Sequence, residues 1–393
     1  MKEKFPSREP FINLDHMAGT ALRPAARDAM CVWLAHSGGN PSSIHQRGRR
    51  AEMRLSRARA EVAKALDVHP AEVFFVSSGS EANNWIIGAL IEAAIRKGER
   101  PRIITTAIEH DSILEMAKSP VGRRAEWVIV PVPPTGDGLI EACEDALGDG
   151  AALMSVMLAN HETGQRLPVE ALAERARAHG VPFHSDVSAA LGRIPLDRKT
   201  LGVDAMSISG HKLGGPAGVG ALIVRRGLKI DPMMVGGPQE RRRRAGSENL
   251  AGIIGLGAAM EALEPETEGG MLGALSAEFL SRILENVPDT LVNTPENSVP
   301  GILNLSFAGV EGQSLLMNLD LAGICISSGA PCASGSLDPS PVLLAQGASE
   351  ERARSSVRIS FGWSSSRKDM ERGVDALIEV VRRLRRVRSR RSL

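Results

Sequence analysis

Short apolar runs alternate with helix-length stretches from residue 72 to residue 224, and this alternation restricts the fold more than any other feature. Glu72–Val76, Arg102–Thr106, Ala152–Leu158, Val181–Ser185, Ala205–Ser209 and Gly220–Val224 each read as a strand. Helical patterns over about 81–97, 111–118 and 169–179 lie between them. Runs this short and this apolar are buried on both faces. Parallel βαβ units demand that, because crossover helices cover both sides of the sheet. Residues 15–264 therefore read as one large α/β domain on a mainly parallel sheet. Glu264-Pro-Glu-Thr-Glu-Gly-Gly270 breaks the pattern. After it come a helix (about 271–286), a strand (302–307), a helix (about 313–319), a strand (357–361) and a long final helix. These form a smaller α+β domain over 265–393, to which residues 1–14 are assigned. The arginines at the end of the last helix suit a solvated C-terminus facing its own dipole.

Two domains agree with a length of 393 residues. Composition removes several function classes. A 43% hydrophobic content is too high for disorder. The apolar run Ala251–Met260 stops at Glu261, well short of the ~18 residues of a membrane helix. A formal charge of +1 gives no general pull toward nucleic acid or a membrane surface. Residues 1–10 lack the apolar segment of a secretory signal, and cysteines 31, 143, 325 and 332 show no CxxC spacing. They read as reduced thiols of a cytoplasmic protein. No glycine pattern of a nucleotide fold opens a helix, and no GxSxG is present. His161-Glu162 lacks the second histidine of a zincin, and His184-x-Asp186 alone makes no metal site, so no metal is expected.

Four local features suit one task, the holding of a phosphorylated pyridine aldehyde. Ser209-Gly-His-Lys212 follows an apolar strand and precedes a glycine-rich loop. A lysine there sits at the carboxyl edge of a parallel sheet, where a partly desolvated amine can condense with a carbonyl. Asp186 ends another strand, placed to keep a pyridine nitrogen protonated. It equally suits a helix N-cap. Ser77-Ser-Gly-Ser-Glu81 joins a strand to a helix; Gly79 permits close approach, and Ser80 with the first helical N–H groups makes an anion cradle. His110 follows a strand and can stack on a planar ring.

Together these features resemble the pyridoxal-phosphate enzymes of fold type I. Ile326-Ser-Ser-Gly-Ala-Pro-Cys332-Ala-Ser-Gly-Ser336 is similar to the active-cysteine loop of the cysteine desulfurases, in the class-V aminotransferase group. Leu14-Asp-His-Met-Ala18, Gly39–His45, Gly301–Phe307 and Ser356–Ser360 match further landmarks, in order, over about 12–385. The resemblance implies pyridoxal 5′-phosphate as cofactor and L-cysteine as substrate. Lys212 would be the Schiff-base lysine, Asp186 the partner of the pyridine nitrogen and His110 the stacking ring. Gly79, Ser80, Ser209 and His211 would bind the phosphate. Asn160 would lie by the ring hydroxyl and the substrate, and Arg358 would fork onto the substrate carboxylate. Cys332 would take the sulfur as a persulfide and pass it to an acceptor or iron–sulfur scaffold protein.

Two departures stand out, the milder being Gly79-Ser80 where the family's phosphate loop carries an alanine–threonine pair. Ala189 occupies the position where the family usually carries a glutamine that donates to the ring hydroxyl. The resemblance also implies a homodimer in which the loop Arg241–Ser247 crosses to the neighbour and Ser247 reaches its phosphate. Read alone, the four arginines are either a solvated face or a cluster in need of anions. Other readings are a different class-V enzyme (an aminotransferase or a selenocysteine lyase) and a weakly active paralogue that binds sulfur carriers.

Overall fold

The computed structural model describes residues 11–36, 38–328 and 338–391, with side chains through 388. Its strands are β1 (Ile12–Asn13), β2 (Val73–Val76), β3 (Arg102–Thr106), β4 (Glu126–Val130), β5 (Leu153–Ser155), β6 (Phe183–Asp186), β7 (Ala205–Ser209), β8 (Gly220–Val224), β9 (Thr290–Val292), β10 (Ile302–Phe307), β11 (Ile324–Cys325), β12 (Ser327–Ser328) and β13 (Ser356–Ser360).

Seven strands form the large sheet in the order β2-β8-β7-β6-β5-β3-β4. From β7 to β4 all neighbours are parallel. Strand β8 runs antiparallel to both β2 and β7. The link from Ser209 to Gly220 is too short for a crossover helix, so the chain turns straight back. Successive residues of a strand face opposite sides, and the cores divide accordingly. Phe74, Ile103, Leu153, Ala205 and Leu222 pack on the helix Gly79–Arg96. Phe75, Ile104, Met154, Met206 and Ala221 face the opposite layer, built from the helices Gln46–Ala65, Val169–Ala178 and Leu250–Glu261.

A separate core gathers Leu303, Leu305, Val357 and Ile359 from the antiparallel sheet β12-β13-β10-β9 with Leu272, Phe279, Val374 and Leu377. Ile12 and Leu14 belong to it, and β1 pairs in parallel with β11.

Three differences from the sequence reading have physical causes. The break at Glu264 is a helix start, because Pro265 fits the first turn of a helix running to Asn286. Leu250–Glu261 is helical although apolar on nearly every side, as a helix buried all round must be. Strand β5 is shorter than Ala152–Leu158, yet Val156 N and Leu158 N still donate to His184 O and Asp186 O, each at 3.0 Å. At the far end, Arg382 and Arg385 are bound to backbone carbonyls of Asn286, Pro288 and Ala308. They cap neighbouring segments rather than only facing solvent.

Candidate active site

The carboxyl ends of the parallel strands deliver the polar residues to one edge of the sheet. Strand β2 leads into Ser78, which caps the helix Gly79–Arg96 by accepting from Glu81 N at 3.1 Å. A Cβ at Gly79 would meet Ser188 Oγ at 3.2 Å and Ser209 Cβ at 3.4 Å, so glycine keeps this concavity roomier than a larger residue would. Strand β7 ends at Ser209 and passes into a single helical turn, Gly210–Lys212. Ser209 Oγ lies 3.1 Å from His211 Nδ1. Strand β6 ends on Asp186. The loops after β3 and β5 carry His110 and the Asn160-His161-Glu162 turn.

Lys212 sits amid these groups electrostatically. Burial, then its positive charge, lowers the pKa of His110 and His161, and takes His211 down to about 4. Burial alone would raise Asp186, but the Lys212 charge and hydrogen bonds from Asn83 and Ser188 outweigh it and hold the carboxylate below its usual range. The site thus pairs an ionised aspartate with neutral imidazoles.

A short chain of hydrogen bonds fixes two of them. Asn83 Nδ2 donates to Asp186 Oδ2 at 2.8 Å and to Ser112 Oγ at 2.9 Å. Ser112 N donates to His110 Nδ1 at 3.0 Å. His110 is therefore the N-cap of its own short helix, and its proton belongs on Nε2. Ser188 N completes the set on Asp186 Oδ1 at 2.9 Å.

Residues 12–372 match the family described as aminotransferase class-V. The chain belongs to the class-V aminotransferase family. A cysteine desulfurase IscS from Dictyoglomus turgidum is 38% identical over 379 residues, covering 96% of each chain. A solved NifS-like protein superposes with a TM-score of 0.88 at 31% identity, over 95% of this chain and 99% of its own. The structure of SspA in complex with cysteine gives 0.79 at 28% identity, over 89% of this chain and 98% of its own.

Class-V enzymes depend on pyridoxal 5′-phosphate, and the residues here fit it. The glycine-lined cradle suits a phosphate. The ionised Asp186 suits a protonated pyridine nitrogen. A buried imidazole nitrogen, Nδ1 of His161, has no hydrogen-bond partner.

Several residues differ from the part the sequence suggested for them. The Asn160 amide is occupied within its own turn: Oδ1 accepts from Glu162 N and Thr163 N at 2.9 and 2.8 Å, and Nδ2 donates to Ile108 O at 2.8 Å. Its neighbour His161 is the side chain beside His110, with ring centroids 5.3 Å apart. Arg358 is almost wholly buried, but Nη2 is bonded to Asp15 Oδ1 at 2.6 Å and Nη1 to His161 O at 3.0 Å. Ala189 packs in the apolar core and presents no polar atom.

The arginine run is largely tied to its own chain. Arg241 Nη2 donates to Val73 O at 2.7 Å and its guanidinium lies 4.1 Å from the Phe74 ring centroid. Arg244 Nε pairs with Glu81 Oε1 at 2.8 Å. The backbone bends through positive φ at Glu240, Arg241 and Arg242, while Glu240 is gripped by both Nη atoms of Arg59. Ser247 is exposed, on a cavity shared with Ser77, Gly218 and Arg244. Ser80 is exposed at the mouth of the phosphate cradle.

Cys332 lies outside the described residues. The chain is described again from Asp338, and Ser340 Oγ then donates to Glu162 Oε2 at 2.5 Å. Burial pushes the Glu162 carboxyl up to about 8. Cys143 is buried and its thiol is pushed up to about 12, so it is inert. Cys31 is exposed.

Asn83, Asp15, Glu162 and His161 were not singled out as site residues by sequence reasoning. Asn83 carries a usable signal: it sits one helical turn beyond Gly79, on the face that turns toward the cradle.

Proposed function

We propose that this chain is a cysteine desulfurase that converts L-cysteine to L-alanine and retains the sulfur as a persulfide on Cys332. The observation that carries the reading is the convergence of Lys212, Asp186, His110 and the Gly79 cradle on one sheet edge, in a chain whose relatives bear that name over nearly its whole length. Pyridoxal phosphate, when bound, supplies an electron sink beside the substrate Cα.

The protein's own groups do the rest. Gly79, Ser80, Ser209 and His211 hold the phosphate. Asp186, set by Asn83, keeps the proton on the ring nitrogen, and His110 lies against the ring. Lys212 would hold the cofactor through its Nζ and, once freed, would serve as the base for the Cα proton. Arg358 binds the substrate carboxylate, which must share or displace Asp15. Asn160 acts through the turn that presents His161.

The thiolate of Cys332 attacks the sulfur of the substrate. The C–S electron pair stays on the substrate carbon, which gains a proton in place of sulfur and leaves as alanine. The sulfur remains on Cys332 as a persulfide, ready for an acceptor or iron–sulfur scaffold protein. A homodimer with Ser247 reaching the neighbouring phosphate, and a cytoplasmic setting, complete the proposal. Among the described residues no helix is long and apolar enough to cross a membrane, and the exposed thiol of Cys31 suits a reducing compartment.

Purified protein given L-cysteine should form alanine and a thiol-displaceable protein-bound sulfur. Borohydride should fix the cofactor to Lys212. Cys332→Ser should keep the bound cofactor and lose the protein-bound sulfur. Label on another lysine, alanine formation at an undiminished rate by Cys332→Ser, or amino transfer to a keto acid with no sulfur released would overturn the reading.

A further inference from the structure

The turn that carries Lys212 is held from outside the site by residues 20–23. Thr20 N donates to His211 O at 3.0 Å, and Arg23 N to Gly214 O at 2.8 Å. Between them, Arg23 Nε donates to Leu213 O at 2.8 Å. The acceptors flank Lys212 on both sides. A Cβ at Gly214, whose φ is +90°, would come within 2.6 Å of Arg23 Cγ and 2.9 Å of Trp363 Nε1. The turn and the arginine are therefore packed with no side chain between them.

The other end of Arg23 reaches toward the smaller sheet. Nη1 and Nη2 fork onto Glu268 at 2.8 and 2.6 Å, and Nη1 also donates to Ala262 O at 3.2 Å. Glu268 lies in the first turn of the helix Pro265–Asn286, whose Leu272 and Phe279 pack in the core of that sheet. The guanidinium carbon stands 5.4 Å from the ring centroid of Trp363, which follows β13, the strand of Arg358. Arg23 is 6% exposed, so water does not replace these partners. A planar guanidinium whose two outer nitrogens meet one carboxylate is fixed in orientation. Its Nε–H is thereby aimed at the carbonyl of Leu213, the residue next to Lys212.

We propose that Arg23 is a positioning residue for Lys212. Oriented by Glu268, it fixes the Leu213 carbonyl and with it the place from which the lysine meets the cofactor. An amine that must reach a carbonyl carbon and then a Cα proton needs its backbone held, because a small displacement forfeits much of the gain from proximity. An ion pair that only braced the fold would need a cation facing Glu268. What sets Arg23 apart is the further contact, from the base of the fork to the backbone of the turn.

The inference rests on the proposed function above, and the variants separate the two. Glutamine carries its N–H on the same carbon as arginine does, Cδ, so it keeps the bond to Leu213 O and loses the fork. Lysine has a methylene there, so it keeps a charge for Glu268 and loses that bond. Wild type, Arg23→Lys and Arg23→Gln are compared, the last combined with Glu268→Gln so that no carboxylate is left without its cation. Pyridoxal phosphate affinity is measured by equilibrium dialysis with Lys212 present and again in the Lys212→Ala background. With Lys212 present, Arg23→Lys should bind about three- to tenfold more weakly than wild type, the range of one hydrogen bond. In the Lys212→Ala background it should change nothing, because the turn then has no amine to place. Arg23→Gln with Glu268→Gln should stay close to wild type in both. A pair that only braces the fold gives the reverse order, with Arg23→Lys the milder change, and overturns the inference. So does a loss of equal size in both backgrounds, or an Arg23→Lys protein that binds as wild type does. Thermal melts of the apoproteins show which variants are folded. If Arg23→Lys is not, Arg23→Met with Glu268→Gln takes its place, since it differs from the glutamine variant in lacking the donor; equal affinity of those two overturns the inference. Wild-type protein that binds no pyridoxal phosphate, or is linked to it through another lysine, overturns the proposed function and this inference with it.

Discussion

Asn83→Ala removes two hydrogen bonds given by one end of the amide, and only the one to the charged Asp186 carries a pH dependence. Nδ2 donates to Asp186 at 2.8 Å and to Ser112 at 2.9 Å, while Oδ1 has no partner. Asn83 is 1% exposed, so water does not replace the lost donor. A hydrogen bond to a charged group is worth about 1.5–3 kcal/mol, a factor of about 10–100 in the unfolding equilibrium. The pH dependence gives the sign. The folded pKa of Asp186 is depressed, so its ionisation contributes stability above the unfolded value, and the contribution is lost as pH falls through the folded value. Without Asn83 the folded pKa rises, and the same stability is lost at higher pH. Urea unfolding of apoprotein should therefore show the full deficit at neutral pH and a smaller one below the usual aspartate pKa of about 3.9. Truncation also leaves a small cavity, whose cost does not depend on pH. Asn83→Leu, which fills that space, should show the pH-dependent part alone. A deficit equal at both pH values would refute the assignment of Asn83 as the donor that sets Asp186.

Three further outcomes follow from the same geometry. Arg358→Lys keeps a charge but not a planar fork, and KM for L-cysteine should rise about tenfold or more with cofactor affinity unchanged; an unaltered KM removes Arg358 from the substrate site. Glu162→Gln retains an acceptor for Ser340 but cannot ionise. The folded pKa of Glu162, raised from 4.5 to about 8, gives stability that is lost as pH rises through about 8. Denaturant midpoints should thus fall less between mildly acidic and alkaline pH in the variant, and parallel curves would contradict this. Mixed dimers of Lys212→Ala and Ser247→Ala subunits should exceed either parent in activity, because each hybrid holds one intact site. A monomer by sedimentation, or no gain on mixing despite an impaired Ser247→Ala parent, would end the shared-site proposal.

Period and punctuation made much of the frame legible. Arg102–Thr106, Ala205–Ser209, Gly220–Val224 and Ile302–Phe307 are strands with the bounds that their apolar runs suggest. The helices Pro24–His36 and Gln46–Ala65 were not singled out in reading the sequence, and the reversal of β8 depends on the length of one connection. The arginine run was harder to read, because composition reports charge and not partners. Phe74 and the carbonyl of Val73 hold Arg241, and burial and neighbouring Arg59 lower its pKa to about 10. Those contacts form only once β2 is in place.

The turn Asn160-His161-Glu162 shows where side-chain chemistry alone stops deciding. Three polar residues stand in a row, each able to serve a cofactor or a substrate. Asparagine is also the residue best suited to hydrogen-bond its own backbone two residues on, and Asn160 does this to Glu162 N and Thr163 N. Gly164, at φ +77°, completes the turn in a conformation that glycine adopts at little cost. The first position closes the turn, the third reaches Ser340, and the middle residue, His161, is buried beside the His110 ring. Burial first, and then the charges of Lys212, His110 and Arg358, keep that imidazole neutral. Resemblance to the family points to Asn160, whereas the hydrogen bonds show that its amide is used by the backbone around its own turn.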